Sequence, residues 1–350
     1  MNKSFYIQEK KIGDGCEPFI VAELSGNHNQ SIDQALKIVY EAAKAGAHAL
    51  KLQTYTADTL TIDKNDGDFY LSDKNSLWHG TSMYELYEKA HTPWEWHETI
   101  FSLCEKLGII CFSSPFDVTA VDFLEKLSCP CYKIASTENT DVELLEKVAS
   151  TGKPVIISTG MATISELGDM VEIVRNKGCK NLILLKCTAS YPSDPVDANL
   201  LTIPHMSELL GCPVGLSDHT LGIGVAVASV ALGATIVEKH FTLSRNEGGV
   251  DSAFSMEPEE FCKLVKEIKN AWLARGKVNY GSVASENSAL SRRSLYIVRD
   301  MKKGDILTPE NLRSIRPGYG LPTKYLTKLL GMKVTRNILR GARMSWDFIK

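Results

Sequence analysis

The stretch PVIISTGMATISELGDMVEIVRN (154–176) contains one complete strand-and-helix unit, and this unit decides the fold. It opens with a short apolar run that ends in Ser158 and Thr159. Thr163 and Glu166 then form a capping box, and the apolar residues that follow recur at helical spacing. Seven other apolar runs, each followed by a helix-like stretch, have the same form: FIVAEL (19–24), HALKLQ (48–53), IICFSS (109–114), CYKIAS (131–136), LILLKC (182–187), PVGLSD (213–218) and TIVEKH (235–240). Eight successive β-then-α units predict an α/β fold, a parallel (β/α)8 TIM barrel.

The 350 residues of the chain are enough for one large α/β domain and a smaller one. The barrel pattern ends after a helix-like stretch, so we assign residues 1–281 to the barrel domain. Residues 282–293 are polar and rich in Ser, which is typical of a linker. Residues 294–350 have the short strands and turns of a small β-rich module, not of a ninth βα unit.

The bulk composition excludes several classes of protein. A net charge of -3 gives no strong preference for nucleic acid or membrane. The N-terminus lacks the apolar core of a signal peptide, and no apolar stretch is long enough to span a bilayer. The nine cysteines have no repeated metal spacing and are expected to be reduced thiols. We therefore expect a cytoplasmic protein with no nucleic-acid or membrane partner.

Two histidines end neighbouring runs of the predicted barrel. His219 and His240 would lie on adjacent strands, roughly 5 Å apart, at the edge of the barrel where TIM-barrel chemistry takes place. Two imidazoles there could bind a divalent metal and leave positions open for water and substrate, which suits Mn²⁺ better than closed tetrahedral zinc. Asp218 precedes the first histidine and could orient it or a water molecule. The alternative is a hydrogen-bonded pair of core histidines.

Three lysines, Lys51, Lys133 and Lys186, lie at or near other strand ends. Buried lysines are costly unless they pair with anions, so this set predicts an anionic ligand such as a phosphate with a carboxylate. Gln53 shares a strand face with Lys51. Hydroxyl donors come from Ser114, Ser136 and Ser158. The alternative is a structural ion network with the carboxylates of Glu23, Glu138 and Glu238.

Glu23 ends the first run, immediately before a polar turn, and can act as a base or orient a water molecule. A plain salt bridge to Lys51 is the alternative. The connection 54–92 is too long for an ordinary barrel loop and holds the aromatic residues Phe69, Tyr70, Trp78, Tyr84 and Tyr87. Long loops in compact domains are usually functional, although these aromatic side chains could simply hold the loop down.

Motifs at these positions resemble the sialic acid synthase family. They run in order through both predicted domains: AELSGNHN (22–29), KLQTY (51–55), TPWEWH (92–97), CFSSPFD (111–117), YKIAS (132–136), ISTGMA (157–162), LLKCTASYP (184–192), VGLSDHTLG (214–222), VEKHFTL (237–243), GGVDSAFS (248–255) and SIRPGYG (314–320). The resemblance implies a TIM barrel followed by an antifreeze-like SAF domain. It also implies an enzyme that condenses phosphoenolpyruvate with an open-chain amino sugar to give a nine-carbon ulosonic acid.

The resemblance assigns a role to each site residue. His219 and His240 would hold the metal, Mn²⁺ with Mg²⁺ or Co²⁺ as alternatives, which would polarise the aldehyde of the sugar. Glu23 would position or deprotonate the attacking water with help from Glu138. The residues implied for phosphoenolpyruvate are Lys51, Gln53, Ser114, Lys133, Ser136, Ser158 and Lys186. Those implied for the sugar are Tyr191, Asp251, Phe254 and, from the partner subunit of a domain-swapped homodimer, Arg316.

The chain departs from the N-acetylneuraminate-type pattern of this family. Leu24-Ser25-Gly26 replaces its first motif, and Lys186 replaces a histidine before Cys187. These differences, with the loop segment LWHG (77–80), favour 2,4-diacetamido-2,4,6-trideoxy-L-altrose as the sugar. The sugars of the legionaminate and N-acetylneuraminate branches are the alternatives.

Two other classes of protein are consistent with parts of the pattern. One is another metal-dependent barrel enzyme, such as an aldolase or a sugar isomerase. An aldolase that forms a Schiff base would need one desolvated lysine, whereas a lysine cluster that binds an anion should stay protonated. A non-catalytic surface-binding protein is suggested by the antifreeze-like module, but the polar barrel mouth argues against it.

Overall fold

The computed structural model describes residues 3–74, 76–281 and 288–349. The chain divides into two compact units, residues 1–276 and 277–350. Of the predicted linker, residues 282–287 lie outside the described part, and Ser288–Ser291 form a short helix, α11.

Eight parallel strands of the first unit close into a barrel, which confirms the predicted fold. A two-stranded antiparallel hairpin, β1 (Ser4–Ile7) and β2 (Lys10–Gly13), precedes it and was not predicted. The barrel strands are β3 (Phe19–Glu23), β4 (Ala49–Thr54), β5 (Ile110–Pro115), β6 (Tyr132–Ile134), β7 (Val155–Ser158), β8 (Leu182–Cys187), β9 (Val214–Ser217) and β10 (Ile236–His240). Almost every strand residue is buried, because the barrel interior and the surrounding helices cover both faces of the sheet.

Helices follow the barrel strands and pack around them. They are α1 (Ile32–Lys44), α2 (Ala57–Leu60), α3 (Met83–Ala90), α4 (His97–Leu107), α5 (Val118–Lys126), α6 (Val142–Ser150), α7 (Ile164–Asn176), α8 (Thr202–Leu210), α9 (Gly224–Ala231) and α10 (Pro258–Arg275). The capping box of Thr163 and Glu166 is complete at the start of α7. This helix buries Leu167, Met170, Val171 and Val174 of the predicted apolar stripe, whereas Ile164, in its first turn, is exposed.

The long connection between β4 and the main helix α4 contains α2 and α3 and is tied down by aromatic contacts. The rings of Tyr55 and Tyr87 meet edge to face with centroids 5.9 Å apart. Ser82 and Glu85 complete a capping box at the start of α3. The indole of Trp78 reaches across to the segment that follows β10, where it donates to Val250 O at 2.9 Å.

The second unit is small and rich in β structure, as expected. Its antiparallel strands are β11 (Ser294–Ile297) and β12 (Leu312–Ile315), and a short helix, α12 (Leu326–Leu329), packs beside them. Its own apolar core includes Leu295, Ile297 and Leu329. Across the described residues of both units, no helix is long and apolar enough to cross a membrane.

Candidate active site

Polar side chains gather at the edge of the barrel where its parallel strands end. Glu23 and His240 are the last residues of β3 and β10, and they are paired in the sheet. Lys51 pairs with Glu23 on the next strand, and His219 lies just after β9. The other site residues predicted in this unit on strands or strand ends are Gln53, Ser114, Lys133, Ser136, Glu138, Ser158 and Lys186. The topology therefore brings the predicted set to one mouth of the barrel.

Two lysines and two carboxylates form a buried ion network at this mouth. Lys51 Nζ lies 2.7 Å from Glu23 Oε2 and 2.9 Å from Glu238 Oε1. Lys133 Nζ lies 3.4 Å from the same Glu238 oxygen, which also accepts a hydrogen bond from Ser217 Oγ at 3.0 Å. None of the four charged side chains is more than 6% exposed. The ion network left open as an alternative is thus present, and Glu238 lies at its centre.

Burial and charge shift the pKa values of this network in opposite directions. Burial lowers the pKa of Lys51 to about 7, and the charge of Glu238 only partly offsets this. Burial opposes ionisation of Glu238, but Lys133 and Lys51 hold its pKa below the ordinary value. An ammonium group that titrates near neutrality becomes fully charged when an anion binds beside it. The network can therefore respond to an anionic ligand.

Two other site carboxyls differ from Glu238, because burial raises the pKa of both. It raises the pKa of Glu138, although Thr137 Oγ1 donates to this side chain at 2.7 Å. It also raises the pKa of Asp251, which accepts a hydrogen bond from Ser25 Oγ. Both groups can thus hold a proton at a higher pH than an exposed carboxyl can, as general acids and bases require.

Several buried polar atoms at this mouth have no hydrogen-bond partner among the described residues. They are Glu23 Oε1, Ser114 Oγ, Ser158 Oγ and His240 Nδ1. Asn27 Oδ1 and Asp117 Oδ2, which follow β3 and β5, are in the same condition. Buried polar groups are nearly always paired, and each unpaired one costs about 1–3 kcal/mol. Their concentration at the strand ends indicates a site built for a polar ligand.

The two predicted imidazoles lie side by side, with ring centroids 5.3 Å apart. His219 Nδ1 donates to Thr188 O at 3.0 Å, which leaves Nε2 as the acceptor nitrogen. Burial opposes protonation of His219, but the hydrogen bonds to Cys187 and Thr188 raise its pKa. Burial lowers the pKa of His240 well below its ordinary value, and the charge of His219 adds to this effect. His240 is therefore in the neutral form that binds metal, whereas a metal at His219 would have to displace a proton from that ring.

These two histidines are suited to a divalent metal with an incomplete protein shell. The carbonyl of Thr188 orients one ring, as partners of metal-bound histidines commonly do, and His240 Nδ1 is buried without a hydrogen-bond partner among the described residues. Within residues 3–74, 76–281 and 288–349, no group of three or more His, Cys, Asp or Glu side chains is arranged to hold a metal ion. A metal held by the two imidazoles would take its other ligands from water and substrate.

An aromatic wall stands beside the imidazoles. The ring of Tyr191 lies 4.5 Å from that of His219 and 5.2 Å from that of Phe254. Phe254 in turn contacts His240 at 4.8 Å between centroids. Asp251 Oδ2 lies 3.9 Å from His240 Nδ1. The three side chains implied for the sugar in this unit thus lie beside the predicted metal site.

Other predicted residues have contacts that the sequence did not indicate. Lys186 is half-buried and donates to Cys187 O at 2.9 Å, so it does not join the other two lysines in the ion network. Asp218 was considered as a residue that could orient His219 or a water molecule. Its Oδ2 instead lies 2.9 Å from Lys239 Nζ, on the outer side of the barrel. Successive strand residues face opposite ways, so Lys239 and its neighbour His240 cannot share a partner inside.

Three further predicted residues have ordinary surroundings. Ser136 Oγ accepts a hydrogen bond from Gly160 N at 3.2 Å, and Gln53, half-buried, pairs with Ser114 in the sheet. Arg316 belongs to the second unit, where it is exposed just after β12. The role of Arg316 at the sugar site stays a prediction.

Sequence reasoning missed some features of this mouth. Alternation along the strand places Glu238 and His240 on one face, but the position of Glu238 between Lys51 and Lys133 was not predicted. Ser217 and the carbonyl of Thr188 orient Glu238 and His219, and no residue-type signal marks a backbone carbonyl. Trp78 lay within the long connection and carried no individual assignment.

Comparison with known proteins identifies the family. A model described as the NeuB family matches residues 38–280, and one described as the SAF domain matches residues 292–350. The first match covers more than half of the chain, and relatives above 30% identity span most of it. The chain belongs to the NeuB family, which confirms the resemblance to sialic acid synthases.

Similar individual proteins include two pseudaminic acid synthases and one synthetase of known structure. The pseudaminic acid synthase of Campylobacter jejuni is 44% identical over 92% of this chain and 94% of its own length. That of Helicobacter pylori is 41% identical over 95% and 98%. Among solved structures, an N-acetylneuraminic acid synthetase from Leptospira borgpetersenii in complex with citrate is 32% identical, with a TM-score of 0.73 over 81% of this chain and 93% of that one.

Proposed function

We propose that this protein condenses phosphoenolpyruvate with 2,4-diacetamido-2,4,6-trideoxy-L-altrose and water, which gives pseudaminic acid and phosphate. The observation that carries the proposal is the set of buried, unpartnered polar atoms around Lys51 and Lys133, beside the paired imidazoles. A site for one anion and one carbonyl would satisfy these groups. The choice of sugar follows the pseudaminic acid synthases to which the chain is similar.

The anion subsite would hold phosphoenolpyruvate through Lys51 and Lys133. Phosphate and carboxylate oxygens would accept from the two ammonium groups and from Ser114 and Ser158, whose hydroxyls have no hydrogen-bond partner in the described part of the chain. Glu238 holds both lysines in the absence of the anion. The remaining members of this subsite are Gln53, Ser136 and Lys186.

His219 and His240 would form the carbonyl subsite and would hold a divalent metal there. Synthases of the NeuB family are metal-dependent in general, and we propose Mn²⁺ here because the two-imidazole site leaves several positions open. When bound, the metal supplies Lewis acidity toward the aldehyde of the sugar. Tyr191, Phe254 and Asp251 would flank the sugar and fix its orientation.

The protein's own groups then direct the chemistry. C3 of phosphoenolpyruvate forms a bond to the aldehyde carbon as the C=O π bond breaks, and positive charge develops at C2. The aldehyde oxygen becomes a hydroxyl by taking up the proton that the attacking water releases. A water molecule adds at C2, and Glu23, with Glu138 nearby, would orient it and accept its proton. The tetrahedral adduct collapses by C–O cleavage and releases phosphate, while Lys51 and Lys133 neutralise the leaving charge.

We further propose that the enzyme works as a homodimer in which Arg316 of one subunit covers the sugar site of the other. Arg316 is exposed in its own unit and lies in a turn with Pro317, so its guanidinium is free to reach an acetamido oxygen. The nine cysteines are all free thiols in the described residues, which suits a reducing compartment, and we place the reaction in the cytoplasm.

The test is release of phosphate from phosphoenolpyruvate across a panel of acetamido sugars, with the product identified by mass. We expect release with the 2,4-diacetamido-2,4,6-trideoxy sugar and a product with three more carbons. Faster turnover of N-acetylmannosamine or of the legionaminate precursor would overturn the choice of sugar. A stable adduct after borohydride treatment with substrate would instead indicate a Schiff-base aldolase.

A further inference from the structure

We propose that Trp78 makes this enzyme prefer a sugar with a methyl group at its sixth carbon over the same sugar with a hydroxyl there. The inference rests on the proposed condensation and names a determinant of its specificity. Trp78 lies in the long connection between β4 and α4, outside the strand-end residues that carry the chemistry.

One hydrogen bond holds the indole ring of Trp78 and another holds its backbone. Its indole Nε1 donates to Val250 O at 2.9 Å, and its backbone nitrogen donates to Ser76 Oγ at 3.2 Å. Val250 directly precedes Asp251, so the hydrogen bond joins the long connection to the segment that contains two of the implied sugar residues. The half-buried ring is therefore a fixed part of the site wall.

The position of Trp78 places it toward the far end of a bound sugar. Its ring centroid lies 5.9 Å from that of Tyr191, whose own ring contacts His219 at 4.5 Å. The rings thus run outward from the imidazoles, first Tyr191 and then Trp78. A sugar with its aldehyde beside His219 and His240 and its carbon chain along this wall would bring its last carbons to the outer ring.

The chemistry of the outer ring favours a methyl group. The single polar atom of the indole is already bonded to Val250 O, so Trp78 offers the substrate apolar ring surface. A methyl group gains contact there, whereas a hydroxyl loses water and finds no partner on the ring. Apolar pockets reject an added hydroxyl by about 10²-fold at most, so the expected preference is moderate.

The experiment compares kcat/KM for the 6-deoxy diacetamido sugar and for its 6-hydroxy counterpart in three proteins. In the unmodified enzyme we expect the 6-deoxy sugar to be preferred by about 10-fold or more. Trp78→Ala should lower this ratio about 10-fold, and Trp78→Phe should keep part of it because the ring remains. A general structural defect would lower both values of kcat/KM and leave their ratio unchanged.

Trp94 provides a matched control. It is also half-buried and donates its indole hydrogen to a backbone oxygen, that of Tyr55 at 3.1 Å, but it stacks on Phe123 instead of Tyr191. Trp94→Phe should therefore retain the ratio. An unchanged ratio in both Trp78 variants, or equal use of the two sugars by the unmodified enzyme, would overturn the inference alone. Failure of the unmodified enzyme to condense either sugar would overturn the proposed function and this inference with it.

Discussion

Two groups of buried lysines in the barrel differ in how completely their hydrogen bonds are satisfied. Lys239, on the outer face of β10, donates to Asp218 Oδ2 at 2.9 Å, Thr220 O at 2.7 Å and Gly222 O at 3.1 Å. Three acceptors for three ammonium hydrogens satisfy the Lys239 side chain completely. Inside the barrel, Lys51 and Lys133 share one oxygen of Glu238.

The surroundings of the inner lysines are incomplete in a way that those of Lys239 are not. Glu23 Oε1 and the nearby hydroxyls of Ser114 and Ser158 have no partner among the described residues. Complete pairing indicates a lysine that supports structure, and shared or missing partners indicate lysines that await a ligand. Burial alone does not separate the two groups, since all three side chains are at most 6% exposed.

The largest effect is expected for His240→Ala, which removes one imidazole of the predicted metal site. Turnover should fall by about 10³-fold or more, because Lewis-acid polarisation of a carbonyl is worth several kcal/mol. The fold should remain, since a strand end is altered and not a core layer. Phosphate release and circular dichroism measure both. His205→Ala, an exposed imidazole on α8, is the control, and full activity of His240→Ala would refute its role as a ligand.

Lys239→Met tests the lysine whose hydrogen bonds are complete. It leaves the buried carboxylate of Asp218 without its charged partner, so the free energy of unfolding should fall by about 3–5 kcal/mol. Urea unfolding measures this change. An unchanged free energy of unfolding would contradict the claim that Lys239 supports the structure.

Lys133→Met tests the open network. Removal of one preorganised charge donor should lower kcat/KM for phosphoenolpyruvate by about 10²–10³-fold. Stability should change less than in Lys239→Met, because Glu238 keeps its contacts with Lys51 and Ser217. A variant with normal kinetics and a large loss of stability would show that Lys133 is structural.

The smallest effect is the stabilisation of the protein by its anionic substrate. Phosphoenolpyruvate at 100 times its Kd should raise the free energy of unfolding by about 2.7 kcal/mol. Thermal unfolding with and without this ligand measures the gain, which Lys133→Met should largely lose. Equal stabilisation of the unmodified protein and Lys133→Met would show that phosphoenolpyruvate does not bind at this lysine.

The barrel could be predicted from sequence because each strand is a short apolar run with a helix signal after it. The run LILLKC agrees with β8 at both ends, whereas the predicted strand 131–136 is shorter in the structure, Tyr132–Ile134. Residues 135 and 136 leave the sheet to form the turn that carries Ser136. The N-terminal hairpin was missed because neither of its strands is followed by a helix-like stretch, which is the pattern that marked the barrel strands.

The candidate site could be predicted as a place but not as a set of contacts. Strand ends meet at one edge of any parallel barrel, so His219, His240 and Lys51 could be placed together without coordinates. The choice of partner depends on side-chain direction and length across strands. Sequence therefore could not show that Lys186 bonds to Cys187 O, or that Asp218 turns outward to Lys239.

The central claim is most directly tested by anomalous diffraction from crystals grown with Mn²⁺ and phosphoenolpyruvate. The account predicts a manganese peak within bonding distance of His219 and His240, with the phosphate held by Lys51 and Lys133. A metal bound elsewhere, or a phosphoenolpyruvate molecule that avoids both lysines, would contradict it.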